Sequence, residues 1–297
     1  MIIGKFLLEK AQLGRFCALI GHPVSHSLSP QMHNLGFKHH GLHLEYHKID
    51  VPSSDLRALH DLFHHPNFVG ANVTIPHKLT VRDYLDKTEP EAESIGAVNT
   101  IFRHDGQIWG TNTDAGGFGD PLRSCSSLLS GKSAVVFGSG GATRAVIHSL
   151  KSLGMTRIYL ISRSVEAIEM RAEGVFKAPY SESLSLMKRS AVVVNATPLG
   201  MFPNVDTSPL DVVSGVIGLP IDVMLEDLAP PGTVFYDLVY NPLETKFLKQ
   251  AKSAGLETID GLAMFIGQGN RAFQRWTGKI LPVSEVEIEL KNALAAR

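Results

Sequence analysis

The sequence predicts an α/β fold in two domains. Three observations carry the prediction. The chain has 297 residues, more than one typical domain. Strand-like and helix-like stretches alternate along it, the pattern of βαβ units and a mostly parallel sheet. A glycine-rich turn stands mid-chain between an apolar strand and an amphipathic helix.

The elements follow in order. Arg15 to Ile20 is an apolar strand that ends at Gly21, and Pro30 opens a helix running toward Phe37. Leu42, Leu44 and Tyr46 alternate with polar residues, a period-2 strand signal. Pro52 to Phe63 reads as a helix with Leu56, Leu59 and Phe63 on one face, and Phe68 to Ile75 as the next strand. A second α/β block runs from about 114 to 260, with strands at Ser133–Phe137, Arg157–Ile161, Ala191–Asn195, Val234–Leu238 and Leu256–Ile259. From Gly261, the residues Leu262, Phe265, Ile266, Phe273 and Trp276 fit one helical face, and a last helix spans Glu285 to Ala296. Met201 to Pro231, rich in Pro, Asp and Ser, reads as a long loop. Three glycines and a proline in Ala115–Pro121 predict a broken helix at the junction of the two blocks.

Composition narrows the function. Hydrophobic content of 44% and charged content of 19% are those of a soluble globular protein. A formal net charge of −1 argues against nucleic acid or an anionic membrane as main partner. Twelve of the 13 histidines lie at or before His104, so the N-terminal third turns basic as pH falls through about 6.5. Two distant cysteines, Cys17 and Cys125, are no disulfide framework. With no long apolar leader and no stretch approaching a membrane span, the expectation is a cytoplasmic protein. His60 and His64 are spaced i, i+4, and His43 and His47 share a strand face, but no acidic or cysteine partner completes a metal-ligand set. No metal is expected.

The mid-chain turn is a cofactor signal. Gly138 permits a tight turn after the strand, Gly140 lets a pyrophosphate approach the backbone, and the following helix start offers N–H donors and a positive dipole end. Thr143 holds the place of the third glycine of the dinucleotide fingerprint. The second strand of this block ends Ile161-Ser162-Arg163-Ser164, with no carboxylate to accept ribose hydroxyls. An arginine there pairs with a 2′-phosphate, so NADP is expected over NAD.

The run Asn72-Val73-Thr74-Ile75-Pro76-His77-Lys78 brings three polar groups to the C-terminal end of a strand, the edge where α/β sheets bind ligands. Lys78 is therefore a candidate proton donor. The bland readings are a solvated loop lysine here, helix-capping roles for Ser27, Ser29 and Asp114, and local backbone bonding by Asn72 and Asn99.

Five motifs in order make the chain resemble the shikimate dehydrogenase family over nearly its whole length. They are Gly21–Pro30 with His33-Asn34; Asn72–Lys78; Gly96-Ala97-Val98-Asn99-Thr100; Asn112-Thr113-Asp114; and Gly261-Leu262 with Met264, Gln268-Gly269 and Trp276-Thr277-Gly278. The resemblance implies a substrate domain of residues 1–113 plus 261–297, a Rossmann domain of residues 114–260, and the site in the cleft between them. It implies reversible hydride transfer between NADPH and 3-dehydroshikimate, with a small molecule as partner and a monomer or homodimer as assembly. Lys78 and Asp114 would be the catalytic pair. Ser27, Ser29, Asn72, Thr74, Asn99, Asp114, Tyr240 and Gln268 would bind the polyol-carboxylate. Gly138, Ser139, Gly140, Gly141, Ala142, Ser162, Arg163 and Ser164 would hold the adenosine and phosphate end of NADP. Asn195, Thr197, Leu238, Gly261 and Met264 would line the rest, with Asn195 to Pro198 and Met264 at the nicotinamide. His26 and His77, inside motifs, are expected as structural hydrogen-bonders.

Hydroxyls and amides suit a substrate with three hydroxyls and a carboxylate, because such a site rejects analogues that leave its groups unpaired. Ser162 departs from the Asn that the family often carries there. Two rivals stand beside this reading: a quinate/shikimate dehydrogenase with relaxed substrate or NAD/NADP choice, and a non-catalytic ligand sensor.

Overall fold

The computed structural model describes residues 2–296 except 11, 13 and 164–171, and only the backbone of 124 and 125. The chain forms two compact units: Met1–Gly117 with Ile266–Arg297, and Phe118–Phe265.

The first unit holds β1 (Phe16–Gly21), β2 (Glu45–Asp50), β3 (Phe68–Val73), β4 (Lys87–Thr88), β5 (Thr100–His104) and β6 (Gln107–Thr111). Their order in the sheet is β2-β1-β3-β5-β6-β4. β1 pairs in parallel with β2 and β3, whereas β5 is antiparallel to both β3 and β6. The antiparallel β5–β6 pair sits in a sheet that the sequence predicts as mostly parallel. Its cause is the turn Asp105-Gly106, both residues at positive φ, which closes a two-residue hairpin. Ile20, Ile49 and Val73 lie on one face of the sheet and enter a core with Phe6, Phe16, Phe63 and Phe68.

The second unit holds β7 (Ser133–Phe137), β8 (Arg157–Ile161), β9 (Val175–Ala178), β10 (Val192–Asn195), β11 (Val234–Asp237) and β12 (Glu257–Ile259). All its pairs are parallel, in the order β12-β11-β10-β7-β8-β9. This is the doubly wound order, with its switch point between β7 and β10. Strand alternation sends Ala134 and Val136 into one core and Val135 and Phe137 into the other, which is why β7 is apolar from Ala134 onward.

Two expectations need correction and a third is refined. Residues 201–231 are not one long loop, since they carry helices Pro209–Ile217 and Ile221–Leu225. Ser208 Oγ accepts from Leu210 N at 3.1 Å, Pro209 opens the first helix, and Gly218 ends it at φ 69°. Residues 52–63 are a 3₁₀ stretch, Ser53–Ala58, followed by a short α-helix, Leu59–His64. The helix predicted to break across Ala115–Pro121 does break there, but at Asp120-Pro121, where α (Asp114–Gly119) gives way to 3₁₀, and not at the glycines at 116, 117 and 119. Gly116 is small because the Arg271 side chain lies across it: a Cβ there would stand 2.4 Å from Nε.

Candidate active site

The polar centre of the first unit is built on the face of the sheet opposite its Phe-rich core. Leu19, Asn72 and Lys48 are register partners on β1, β3 and β2, and Asn72 pairs with Thr100 on β5. Residues in register share a face, so Asn72 and Thr100 project together. Asn72 Nδ2 donates to Thr100 Oγ1 at 3.2 Å, and Tyr46 OH donates to Asn72 Oδ1 at 2.8 Å. Tyr46 stacks on the fully buried His33, ring centroids 4.5 Å apart. Burial pushes that imidazole down to about 3, so it stays neutral.

Lys78 leaves the turn after β3 and meets Asp114. Its Nζ donates to Asp114 Oδ2 at 2.6 Å, with side chains 13% and 6% exposed. The other carboxylate oxygen accepts from Asn99 Nδ2 at 2.7 Å. Asn99 Oδ1 in turn accepts from Thr113 N at 2.7 Å. Asn112, not Asp114, caps the helix, because its Oδ1 accepts from the N–H groups of Asp114 and Ala115 at 3.0 and 3.3 Å. Asp114 is thereby left to Lys78. A buried ion pair holds its charges only when the remaining lone pairs are satisfied, and Asn99 supplies that bond. The pair can hold an ammonium, oriented and largely shielded from water.

Ser27 and Ser29 do not cap the Ser29–His39 helix through an N-cap side chain. Ser27 Oγ donates to Ser29 Oγ at 3.1 Å and accepts from Ser29 N at 3.2 Å, so the two hydroxyls stand together. Thr74 is half-buried just past β3, and its N–H donates to Ile20 O. His77 is buried and bonds Val51 O at 2.5 Å, a structural role. Gln268 lies half-buried on the Gly261–Thr277 helix, in the first unit. Tyr240 belongs to the second unit, stacked on Phe265 at 4.2 Å. The structure therefore joins Lys78, Asp114, Asn99 and Asn72 with their supports Thr100, Thr113 and Tyr46. Those three supports were missed in the sequence, where only their adjacency to Asn99, Asp114 and a strand hinted at them.

In the second unit, Gly138 turns at φ 113°, and a Cβ there would lie 2.8 Å from Ala196 O. Ser139 and Gly140 are exposed, and a Cβ on Gly140 would meet nothing within 4 Å. Packing does not require that glycine. Gly140 begins the Gly141–Ser152 helix, and no side chain caps it. Gly141 and Ala142, half-buried, form the helix's first turn. Such a free helix start fits a pyrophosphate. Gly138 N donates to Ile161 O at 2.9 Å, which brings the exposed Arg163 and half-buried Ser162 to the same sheet edge. These residues fit a phosphorylated dinucleotide. Ser164 lies outside the described residues.

Asn195 is fully buried and bound internally: its Nδ2 donates to Asp237 Oδ1 and Leu199 O, both at 3.0 Å, and its Oδ1 accepts from Thr197 Oγ1 at 2.6 Å. Asp237 also accepts from Thr245 Oγ1 at 2.6 Å and Val239 N at 2.9 Å. Burial pushes its carboxyl up to about 7 against those bonds. Leu238, half-buried, donates its N–H to Asn195 O, and Met264 is buried in the core beneath. Gly261 is glycine because a Cβ would stand 2.5 Å from Leu238 O. Among the described residues, no group of three or more His, Cys, Asp or Glu gathers in a metal-binding arrangement.

A parallel sheet of Rossmann order, a glycine turn on its first strand, and a lysine–aspartate pair in the same chain define a dinucleotide-fold oxidoreductase. A family model for the shikimate dehydrogenase substrate binding domain matches residues 19–101. The chain is 40% identical over 294 residues to a shikimate dehydrogenase (NADP(+)) of Symbiobacterium thermophilum, covering 95% of each chain. It is also 40% identical over 297 residues to that of Moorella thermoacetica, covering 97% of this chain and 96% of the other. The solved shikimate 5-dehydrogenase of Thermus thermophilus, in complex with NADP(H) and shikimate, is 35% identical with a TM-score of 0.79, over 94% of this chain and 99% of that one. The chain belongs to the shikimate dehydrogenase family.

Proposed function

We propose that this protein catalyses the NADP-dependent, reversible reduction of 3-dehydroshikimate to shikimate, a step toward chorismate and the aromatic amino acids. The observation that carries the reading is the Lys78–Asp114 pair at 2.6 Å, braced by Asn99. The first unit is the substrate-binding domain, and the second is the dinucleotide-binding domain.

NADPH, when bound, supplies the hydride. The chain's own residues manage the substrate and the proton. Ser27, Ser29, Asn72, Thr74, Asn99, Asp114, Tyr240 and Gln268 bind the hydroxyls and carboxylate, with hydroxyl and amide groups matched to each. As the carbonyl oxygen gains charge, the Lys78 ammonium stabilises it and gives it a proton. In the reverse direction Lys78 takes the proton from the substrate hydroxyl. Asp114 keeps Lys78 aimed, so no reorganisation is needed at the moment of transfer. Gly138, Ser139, Gly140, Gly141 and Ala142 hold the pyrophosphate, and Ser162, Arg163 and Ser164 the phosphorylated ribose. Thr197, Asn195, Leu238, Gly261 and Met264 shape the nicotinamide end.

The net charge of −1 supports a protein with no nucleic-acid or membrane partner. Among the described residues no helix is long and apolar enough to cross a membrane. A cytoplasmic location and a monomeric or homodimeric state complete the proposal.

Steady-state oxidation of shikimate and of quinate, each with NADP⁺ and NAD⁺, tests the reading. Turnover dominated by shikimate with NADP⁺ is expected. Comparable turnover of quinate or with NAD⁺ would move the protein to a relaxed-specificity enzyme, and no turnover with any pair would leave a ligand sensor.

A further inference from the structure

Edge strand β2 carries none of the residues given a substrate contact above. Its alternate side chains nevertheless hold a site residue, Asn72, or the loop that carries Ser27. Ile49 faces the Phe-rich core, and His47 packs toward Phe6 with ring centroids 5.2 Å apart. Tyr46, Lys48 and Asp50 therefore share the opposite face, the face of Asn72. Each has a different partner. Tyr46 OH donates to Asn72 Oδ1. Lys48 Nζ donates to Ser25 O at 2.5 Å and Ser27 O at 3.4 Å. Asp50 Oδ1 stands 3.0 Å from His22 Nδ1.

The last two contacts clamp one segment at both ends. His22 opens the loop after β1, and Ser25 and Ser27 close it before the Ser29–His39 helix. That loop has few backbone bonds of its own: Ser27 N donates to Val24 O at 3.2 Å and His22 N to Ile75 O at 2.9 Å. Within it Lys48 is a charged donor shared between two carbonyls. Lys48 is half-buried, so its bonds are partly shielded from water.

The geometry points to Lys48 as a positioning residue for substrate: through the Ser25 and Ser27 carbonyls it sets where the Ser27 and Ser29 hydroxyls stand. This rests on the functional reading above, in which those hydroxyls bind the substrate. In this role Lys48 acts through the Ser25 and Ser27 carbonyls. Its loss lets the loop sample other positions, and that cost appears in substrate binding. NADP binding, assigned to the other unit, should not feel it.

The experiment begins with the wild-type enzyme and shikimate plus NADP⁺. Absence of turnover sinks the functional reading and takes this inference with it. With turnover established, Lys48→Met is measured; it keeps the aliphatic stem and removes the charge. The shikimate KM should rise about tenfold, with kcat and the NADP⁺ KM within about twofold. Lys48→Arg, which restores a charged donor, should recover most of the loss. The decisive arm is the same change in a Ser27→Ala/Ser29→Ala background, where the effect should shrink below about twofold because the groups it positions are gone. An unmoved shikimate KM, equal rises in both KM values, or an undiminished effect in that background each overturn the inference while leaving the enzyme's function standing. If Lys48→Met does not fold, Lys48→Gln carries the same three readouts.

Discussion

Among the described residues each unit holds an asparagine–aspartate contact of the same kind, and the two are completed differently. Asn99 Nδ2 donates to Asp114 Oδ1 at 2.7 Å, and Asn195 Nδ2 donates to Asp237 Oδ1 at 3.0 Å. Both carboxyls are buried, 4% and 0% exposed. The difference lies at the second oxygen. Asp114 Oδ2 meets an ammonium, Lys78, whereas Asp237 Oδ2 meets a hydroxyl, Thr245, each at 2.6 Å. A cation makes a buried carboxylate half of a pair that can act on a substrate. Neutral donors make it a knot. Asp237 joins β11 to the Asn195–Leu199 segment and to Thr245, the N-cap of the Lys246–Ser253 helix. Burial without a cation is what drives its carboxyl up to about 7.

The strongest way to break this contrast is Lys78→Ala. If the first pair is chemical, kcat falls by about 10²–10⁴ while the protein stays folded. Retained turnover would remove Lys78 from the mechanism. The second pair is tested by stability. Asp237's folded value lies above its unfolded one, near 3.8, so the folded state holds the extra proton between them. Its contribution is therefore fully present below about pH 4 and is lost as pH rises through about 7, by at most about 1.4 kcal/mol per pH unit. Asp237→Asn keeps the shape and cannot ionise, and Thr245 Oγ1 can turn to accept from the new amide. Urea midpoints from pH 4 to 8 should show wild type losing stability relative to Asp237→Asn. Parallel curves would mean that Asp237 is not the group that titrates.

How far the sequence reached differs between the units for a physical reason. β7 and β8 were legible to the residue, because strands buried on both faces are short apolar runs bounded by turn signals. The glycine turn was legible because Gly138 needs its φ of 113°. In the first unit the β5–β6 hairpin was missed although Asp105-Gly106 announces it, since the alternating pattern upstream favoured a parallel reading. The Pro209–Ile217 helix was missed although Ser208, Pro209 and Gly218 mark its ends. Lys78 and Asp114 were found through motifs. Thr113, Thr100 and Tyr46 were not, because support by a hydroxyl 14, 26 or 28 residues away is a property of register, not of local spacing.

Arg163→Ala asks what the second unit's sheet edge is for. Arg163 is exposed beyond β8, so little folding depends on it. A charge-assisted contact to a 2′-phosphate is worth on the order of a tenfold change, so the NADPH KM should rise by about that factor with the NADH KM unmoved. Equal effects on both cofactors would undo the assignment.

The smallest effect sharpens the comparison most, because it moves a neutral support into the charged unit's account. Tyr46 is 2% exposed, and its hydroxyl is the donor that fixes Asn72 Oδ1. In Tyr46→Phe the ring still stacks on His33, so folding keeps most of its packing. Asn72 then keeps the longer bonds from its Nδ2, 3.2 Å to Thr100 Oγ1 and 3.4 Å to Asn99 O, and its contact with His33. Its amide is free to turn over, presenting the wrong end to a substrate hydroxyl for part of the time. Loss of one such bond, about 1 kcal/mol, should raise the shikimate KM about fivefold with kcat and the NADP⁺ KM little changed. An unmoved KM would mean that the remaining partners orient Asn72 without Tyr46, and that the tyrosine hydroxyl plays no part in substrate binding.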